Sequence, residues 1–146
     1  MRRANDKEPK MEPKIVVTWT TKSGLPAMIV LMPRGFHCGY VGVDTDHPVF
    51  GKDYNDELLD NIEAHGGLTY AGDVPQTSKS RFWAFGYDCA HIGDAISPAD
   101  EDSRSVWRDQ DFCHRECENL ARQLQKLGDP VLLPAPSDWN DDAPKT

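Results

Sequence analysis

The sequence predicts an α+β domain, with an antiparallel sheet of about four to five strands and one long C-terminal helix packed on it. Two observations predict this fold. Three short apolar, β-branched runs near the start of the chain are separated by turn residues, and one long stretch near the end has apolar residues at helical spacing. Because the chain has 146 residues, it has the size of one domain.

The three early runs predict a meander of antiparallel strands over residues 14–20, 26–32 and 36–43, since only short turns separate them. Residues 68–71 and the aromatic run 81–87 predict further strands. Between them, residues 55–65 predict a short helix with Asn55 or Asp53 as its cap, or else a strand leading into the next motif.

The long helix is predicted over residues 105–127. Its apolar stripe has helical spacing and consists of Val106, Cys113, Cys117, Leu120, Leu124 and Leu127. Gly128 and Pro130 follow as termination signals. The polar, proline-bearing ends predict a flexible arm at 1–13 and a polar tail at 134–146, which leaves 14–133 as the domain.

The charge of the chain is acidic, with a formal net charge of −8. This argues against direct binding to nucleic acid, which requires a surplus of Lys and Arg. There is no membrane-length apolar run and no signal-peptide core after Met1, so we expect a soluble cytoplasmic protein without membrane contacts.

Acidic residues cluster in residues 44–64, where seven acids accompany one lysine. Such a cluster is a solvated face, a cation site, or a surface that binds a basic partner as nucleic acid would. The candidate acidic surface consists of Asp53, Asp56, Glu57 and Asp60.

The four cysteines occur without a CxxC pair. Cys113 and Cys117 lie on the predicted apolar stripe, which favours small core residues; a zinc site or a disulfide are the alternatives.

Two polar motifs carry the candidate chemistry. The first is HGGLTYA at 65–71, where two glycines permit positive φ, or else the close approach of another chain or a ligand. The second is GYDCAHIGD at 86–94, where a strand ends in a loop with two carboxylates, a thiol and an imidazole. The candidate ligand- or partner-binding residues are His65, Gly66, Gly67, Thr69, Tyr70, Asp88, His91 and Asp94.

Two kinds of catalysis are compatible with these motifs. A divalent metal could be held by two imidazoles and two carboxylates, from His65, Asp88, His91 and Asp94. Alternatively, Cys89 could act as a nucleophile with a histidine as its base. Both motifs could also serve only to build turns, and neither fits a known catalytic pattern.

The order of these motifs, with Cys38-Gly39-Tyr40-Val41 before them and Arg108 and Glu116-Cys117-Glu118 after them, resembles a family of small, functionally unassigned proteins of bacteriophages and prophages. The resemblance covers residues 36–127. It implies a phage accessory protein in the cytoplasm of a bacterial host, and no catalytic residue carries over from it.

These observations favour a binding protein over an enzyme. The expected partner is a host protein, for example a nucleic-acid-binding defence protein of the CRISPR type that the chain antagonises, or a small phosphorylated ligand such as a signalling nucleotide. No cofactor is expected for this function. The alternative is a metal-assisted hydrolase that uses both motifs and a divalent metal.

Overall fold

The protein is seen in a computed structural model that describes residues 12–73 and 82–128. Five strands form one sheet in the order β1-β2-β3-β5-β4, and all neighbouring strands are antiparallel. The strands are β1 (Lys14–Thr20), β2 (Pro26–Leu31), β3 (His37–Val43), β4 (Tyr70–Asp73) and β5 (Trp83–Asp88).

One helix, α1 (Gln110–Leu127), packs across β2 and β3. The predicted α+β class is therefore confirmed. No helix in the described ranges is long and apolar enough to cross a membrane. The predicted arm, except for its last two residues, and the whole predicted tail lie outside the described residues.

The core lies between α1 and one face of the sheet. Cys113, Cys117, Leu120 and Leu124 of the helix are buried, as their spacing predicts. They pack against alternate residues of the central strands, namely Ile29, Val41, Phe85 and Tyr87. Phe85 and Tyr87 share this face of β5 because side chains two residues apart point the same way.

Tyr87 links the sheet to the helix by a buried hydrogen bond. Its hydroxyl donates to the carbonyl of Cys113 at 3.0 Å. Its ring lies over Gly39 of the neighbouring strand, at a position where a Cβ would collide with the ring. Because the Tyr87 ring fills this space, only glycine fits at position 39.

Replacing Tyr87 with phenylalanine is expected to lower the free energy of unfolding by about 1 kcal/mol, because one buried hydrogen bond is lost while the ring stays in place. Urea denaturation followed by circular dichroism measures this change. Tyr54→Phe, at an exposed tyrosine, is the control and should leave the midpoint unchanged. Equal effects of the two substitutions would contradict the role of the buried hydroxyl.

The predicted helix at 55–65 is wrong, and so is its strand alternative. Only a single 3-10 turn forms, at Glu57–Leu59, and its cap is Asp56 rather than Asn55 or Asp53. The carboxylates of Asp53 and Asp56 accept hydrogen bonds from amides one or two residues ahead. Such local bonds stabilise turns at the expense of a continuing helix.

The predicted start of the long helix is also wrong. The helix begins at Gln110 because the side chain of Asp109 caps it by accepting a hydrogen bond from the amide of Phe112. Val106 is not part of the helix; it is largely exposed and forms a parallel bridge with Asp94. This bridge brings the segment before the helix next to the second polar motif.

Candidate functional site

The two polar motifs meet in space. The first precedes β4 and the second follows β5, and these two strands are antiparallel neighbours with Tyr70 opposite Gly86. Consequently the chain enters β4 and leaves β5 at the same end of the sheet. There the imidazole Nε2 of His65 lies 2.8 Å from a carboxylate oxygen of Asp94.

Asp94 is the centre of this cluster. Its side chain is only 1% exposed, and it accepts three kinds of hydrogen bond. Arg108 Nε donates to Oδ1 at 2.8 Å, the backbone amide of His91 donates to Oδ2 at 3.0 Å, and the His65 imidazole donates to both oxygens. We refer to Asp94, His65 and Arg108 as the Asp94 cluster.

The hydrogen bonds decide the ionisation of Asp94. Burial favours the neutral carboxyl group, but the bonds from Arg108, His65 and the His91 amide outweigh it and lower the pKa of Asp94. The carboxylate is therefore charged at neutral pH, and both of its oxygens accept hydrogen bonds from other groups of the protein. It holds together the HGG turn, the loop after β5 and the segment before α1.

No spacing in the sequence marks Arg108 as a partner of Asp94. The Asp94–Val106 bridge places it there, two residues further along the chain. The Arg108 guanidinium also lies over the Phe112 ring, 5.0 Å from its centroid, and the His65 ring meets the same ring edge-on at 5.1 Å. Phe112 thus packs against both of the side chains that bind Asp94, Arg108 and His65.

Asp88 and His91 form the outer part of the junction. His91 Nε2 lies 3.1 Å from Asp88 Oδ1, at ion-pair distance but without the geometry of a hydrogen bond. Asp88 also accepts hydrogen bonds from the Ala90 amide and the Thr69 hydroxyl. Both Asp88 and Thr69 therefore act locally, as ties between the loop after β5 and the start of β4.

The HGG turn needs its glycines. Gly66 and Gly67 have φ values of 70° and 88°, which other residues rarely adopt. The ring of His91 packs directly on Gly66, where a Cβ would overlap it, whereas nothing lies near the corresponding position of Gly67. The close approach that the two glycines permit is thus made at Gly66 by the imidazole of His91, from the protein itself.

Tyr70 lies apart from the Asp94 cluster. Its ring meets Tyr40 edge-on at 5.3 Å, and its hydroxyl donates to the carbonyl of Asp73. It lies on the sheet face opposite α1, since it alternates with Ala71, which packs against the core. Tyr70 therefore takes no part in the Asp94 cluster.

The four candidate metal ligands lie near one another, but His65 and Asp94 are hydrogen-bonded to each other. The guanidinium of Arg108 holds one oxygen of Asp94, and a fixed positive charge there opposes a cation. In residues 12–73 and 82–128, no group of three or more His, Cys, Asp and Glu side chains is arranged to hold a metal ion.

The cysteines belong to the core. All four are free thiols and buried, which confirms the core interpretation. The Sγ atoms of Cys89 and Cys113 lie 3.7 Å apart. The hydrogen bond with Cys113, together with burial, raises the pKa of Cys89. A neutral, buried thiol is a poor nucleophile, which speaks against Cys89 as a catalytic residue.

The acidic residues lie on a long loop at 44–69, which connects β3 to β4 and is held to the body of the protein at several points. His47 Nδ1 accepts from the Val49 amide, so its Nε2 donates to the carbonyl of Leu124 in α1, at 2.7 Å. The indole of Trp83 donates to the carbonyl of Lys52 at 2.7 Å. These contacts hold the first part of the loop against α1 and β5.

Further along, the loop is fixed at Glu63 and at its buried leucine. The side-chain amide of Gln123 in α1 both accepts from the Glu63 amide and donates to the Glu63 carbonyl, at 2.7 and 2.8 Å. Leu59 inserts into the core, and His65 joins the Asp94 cluster. The segment between these contacts is therefore ordered even though it is not helical.

The acidic surface faces outward from this fixed loop. Asp53, Glu57 and Asp60 are exposed and Asp56 is half-buried. No described cation forms an ion pair with any of these four carboxylates. Tyr54 and Leu58, which no sequence pattern marked as candidates, lie among them and are 41% and 50% exposed. We call these six residues the acidic loop patch.

This geometry therefore offers two features, a buried carboxylate that joins three segments and an exposed patch that combines negative charge with apolar side chains. Comparisons with protein-family models, with curated proteins and with solved structures found no match to this chain.

Proposed function

We propose that the protein acts by binding a partner protein with a basic surface, through the acidic loop patch. The observation that carries the proposal is the exposure of Tyr54 and Leu58 among four carboxylates without described ion pairs, on a loop fixed at both ends. Apolar side chains rimmed by polar residues are a feature of interaction sites, where they serve as anchors.

Each part of the patch has a separate role in this proposal. The apolar side chains supply contact area that becomes buried in the complex. The carboxylates steer a basic partner toward the loop and select against acidic ones. The contacts of the loop with α1 and β5 reduce the conformational entropy that binding would otherwise cost.

The partner class follows from the charge and from the family resemblance. A carboxylate-rich surface is complementary to proteins that bind nucleic acid, whose binding sites are rich in Lys and Arg. The resemblance to phage proteins makes the bacterial cytoplasm the expected setting. We therefore propose that the protein antagonises a host protein of this kind, such as a nucleic-acid-binding defence protein, by covering its basic surface.

The other two functions have weaker support. Metal-assisted hydrolysis would need donor atoms that Arg108 and His65 already occupy at Asp94. Capture of a phosphorylated ligand between the motifs would place an anion beside two carboxylates, Asp88 and Asp94, where the His91 ring already covers Gly66. Metal-assisted hydrolysis is opposed because Arg108 and His65 compete with a metal ion for the oxygens of Asp94. Capture of a phosphorylated ligand is opposed by electrostatic repulsion from the two carboxylates.

Reversing two charges of the patch, with Glu57→Lys/Asp60→Lys, is expected to weaken partner binding at least tenfold. Neither residue caps the 3-10 turn through its side chain, so the loop should keep its structure. The measurement is capture from nuclease-treated bacterial lysate, followed by titration of the captured protein at two salt concentrations. Binding should weaken as salt increases, because exposed charges are screened.

The matched control is Glu12→Lys/Asp46→Lys, which changes the net charge equally at exposed sites outside the patch. Leu58→Ser tests the apolar anchor without any change in charge and should also weaken binding. A captured protein that binds the patch variant and the control equally well would contradict the proposal.

A further inference from the structure

We propose that a cationic groove, separate from the acidic loop patch, binds a small phosphate monoester that carries a planar ring, as a nucleotide does. The groove lies between the exposed side of α1 and the turn that connects β1 to β2. Its volume is about 480 Å³, and its lining includes Lys22, Arg115, Arg122 and His114. This size is typical of sites for small ligands.

The first support is an excess of positive charge in an acidic protein. Lys22, Arg115 and Arg122 converge on the groove from two different elements, the turn and the helix. Within the described ranges, no carboxylate forms an ion pair with any of the three. Guanidinium groups suit phosphate oxygens because they can donate two parallel hydrogen bonds.

Glu118 is the one carboxylate among the groove-lining residues, and its role is internal. One of its oxygens accepts from the indole Nε1 of Trp19 at 2.9 Å, and the other accepts from the backbone amide of Lys22 at 3.0 Å. Glu118 thus fixes the turn to the helix and holds the backbone of Lys22 at the groove. Counting Glu118, the four charged side chains still give a net charge of +2.

The second support is an aromatic stack beside these cations. The rings of Trp19 and His114 are 4.4 Å apart and nearly parallel, at 16°. Trp19 packs against the core, while His114 is exposed and lines the groove. The face of the imidazole opposite Trp19 is therefore available for a planar ring, which would extend an existing stack.

The cations and the stack together define the ligand class. A dianionic phosphate matches the net charge of the groove, and a planar ring matches the free face of His114. The acidic loop patch contributes nothing to this groove, so the inference stands independently of the proposed partner protein.

The test is a titration of the ¹⁵N-labelled full-length protein with adenosine 5′-monophosphate, inorganic phosphate and adenosine as probes. We expect saturable shifts in the amide signals of Lys22, Ser23 and residues 114–122 and in the side-chain Nε signals of Arg115 and Arg122. The monophosphate should bind at least tenfold more tightly than either phosphate or adenosine alone.

The variant Arg115→Gln/Arg122→Gln should weaken the monophosphate at least tenfold, and its own spectrum reports whether it folds. The control Lys14→Gln/Arg34→Gln removes equal charge from exposed sites outside the groove and should change the affinity less than twofold. Three results would overturn the inference: no saturable shift up to about 5 mM ligand, shifts confined to other surfaces, or equal affinities for phosphate and the monophosphate.

Discussion

Replacing Asp94 with asparagine is expected to lower the free energy of unfolding by about 3 kcal/mol. The amide keeps the shape of the side chain but has no charge and only one accepting oxygen. Arg108 would then keep its positive charge beside a partner that no longer neutralises it, and the bonds from His65 and His91 would compete for one oxygen. Removing one partner from a buried charged group is costly because the other stays desolvated.

The measurement is urea denaturation of the wild type and of Asp94→Asn at neutral pH, with Asp88→Asn as the control variant. The side chain of Asp88 is 29% exposed, so water can replace part of its interactions, and its loss should cost about 1 kcal/mol. An Asp94→Asn variant no less stable than Asp88→Asn would contradict the central role of Asp94.

Acidification should remove the difference in stability between wild type and Asp94→Asn. The pKa of Asp94 is lower in the folded protein than in the unfolded chain. Its stabilising contribution is therefore complete above the unfolded pKa of about 4 and is lost as the pH falls toward the folded pKa. The stability difference between the two proteins should shrink below about pH 4.

Replacing Gly66 with alanine is expected to destabilise the protein by about 3 kcal/mol, from two causes. Its φ of 70° is unfavourable for any side chain, at about 1 kcal/mol. In addition the new methyl group would overlap the His91 ring, which must move away from a packed position at a further cost of about 2 kcal/mol.

Gly67→Ala separates the two causes. Gly67 has a similar φ of 88°, but a methyl group at this position would meet no other atom, so only the backbone cost of about 1 kcal/mol applies. The double variant Gly66→Ala/His91→Ala should recover part of the lost stability relative to Gly66→Ala alone. If Gly66→Ala and Gly67→Ala have equal unfolding midpoints, the packing of His91 on Gly66 has no energetic role.

The sheet and the helix core were predictable because they rest on repeating patterns. The strand at Lys14–Thr20 was predicted at its observed bounds, and the stripe from Cys113 to Leu124 was predicted as the buried helix face. Side-chain periodicity is set by backbone geometry and is therefore visible in sequence.

The loop and the start of the helix were not predictable in the same way. Residues 55–65 contain Leu58, Leu59 and Ile62, which would share one side of a helix. However, Asp53 and Asp56 accept hydrogen bonds from nearby amides, and only one 3-10 turn forms. Val106 fits the apolar stripe of α1 by spacing, yet it pairs with Asp94 in another part of the chain. Local periodicity contains no information about such a distant pairing.

The candidate site was predicted in part. The motifs marked His65, His91 and Asp94, which the structure brings together, but nothing in the sequence marked Arg108 as their partner. His47 also lacked any informative pattern, although this residue ties the acidic loop to α1. Neither contact has a signature in sequence, because each depends on how separate segments of the chain pack together.

The proposed function requires that the loop at 44–69 is held in place before any partner binds. Its amide hydrogen bonds span its whole length and include those of Phe50, Lys52, Leu59, Ile62 and Gly67. The Asp94 cluster closes the loop at its far end, through His65. A loop that is ordered in advance offers its carboxylates and apolar anchors at low entropic cost.

Amide hydrogen exchange of the free full-length protein, resolved by residue, measures this order in the absence of a partner. We expect protection of about 100-fold or more at Lys52, Leu59 and Ile62, and reduced protection at Gly67 and Thr69 in Asp94→Asn. If all these amides exchange at the rate of an unstructured chain, the loop is not ordered in the free protein. That result would contradict the account, because the loop would then become ordered only on binding its partner.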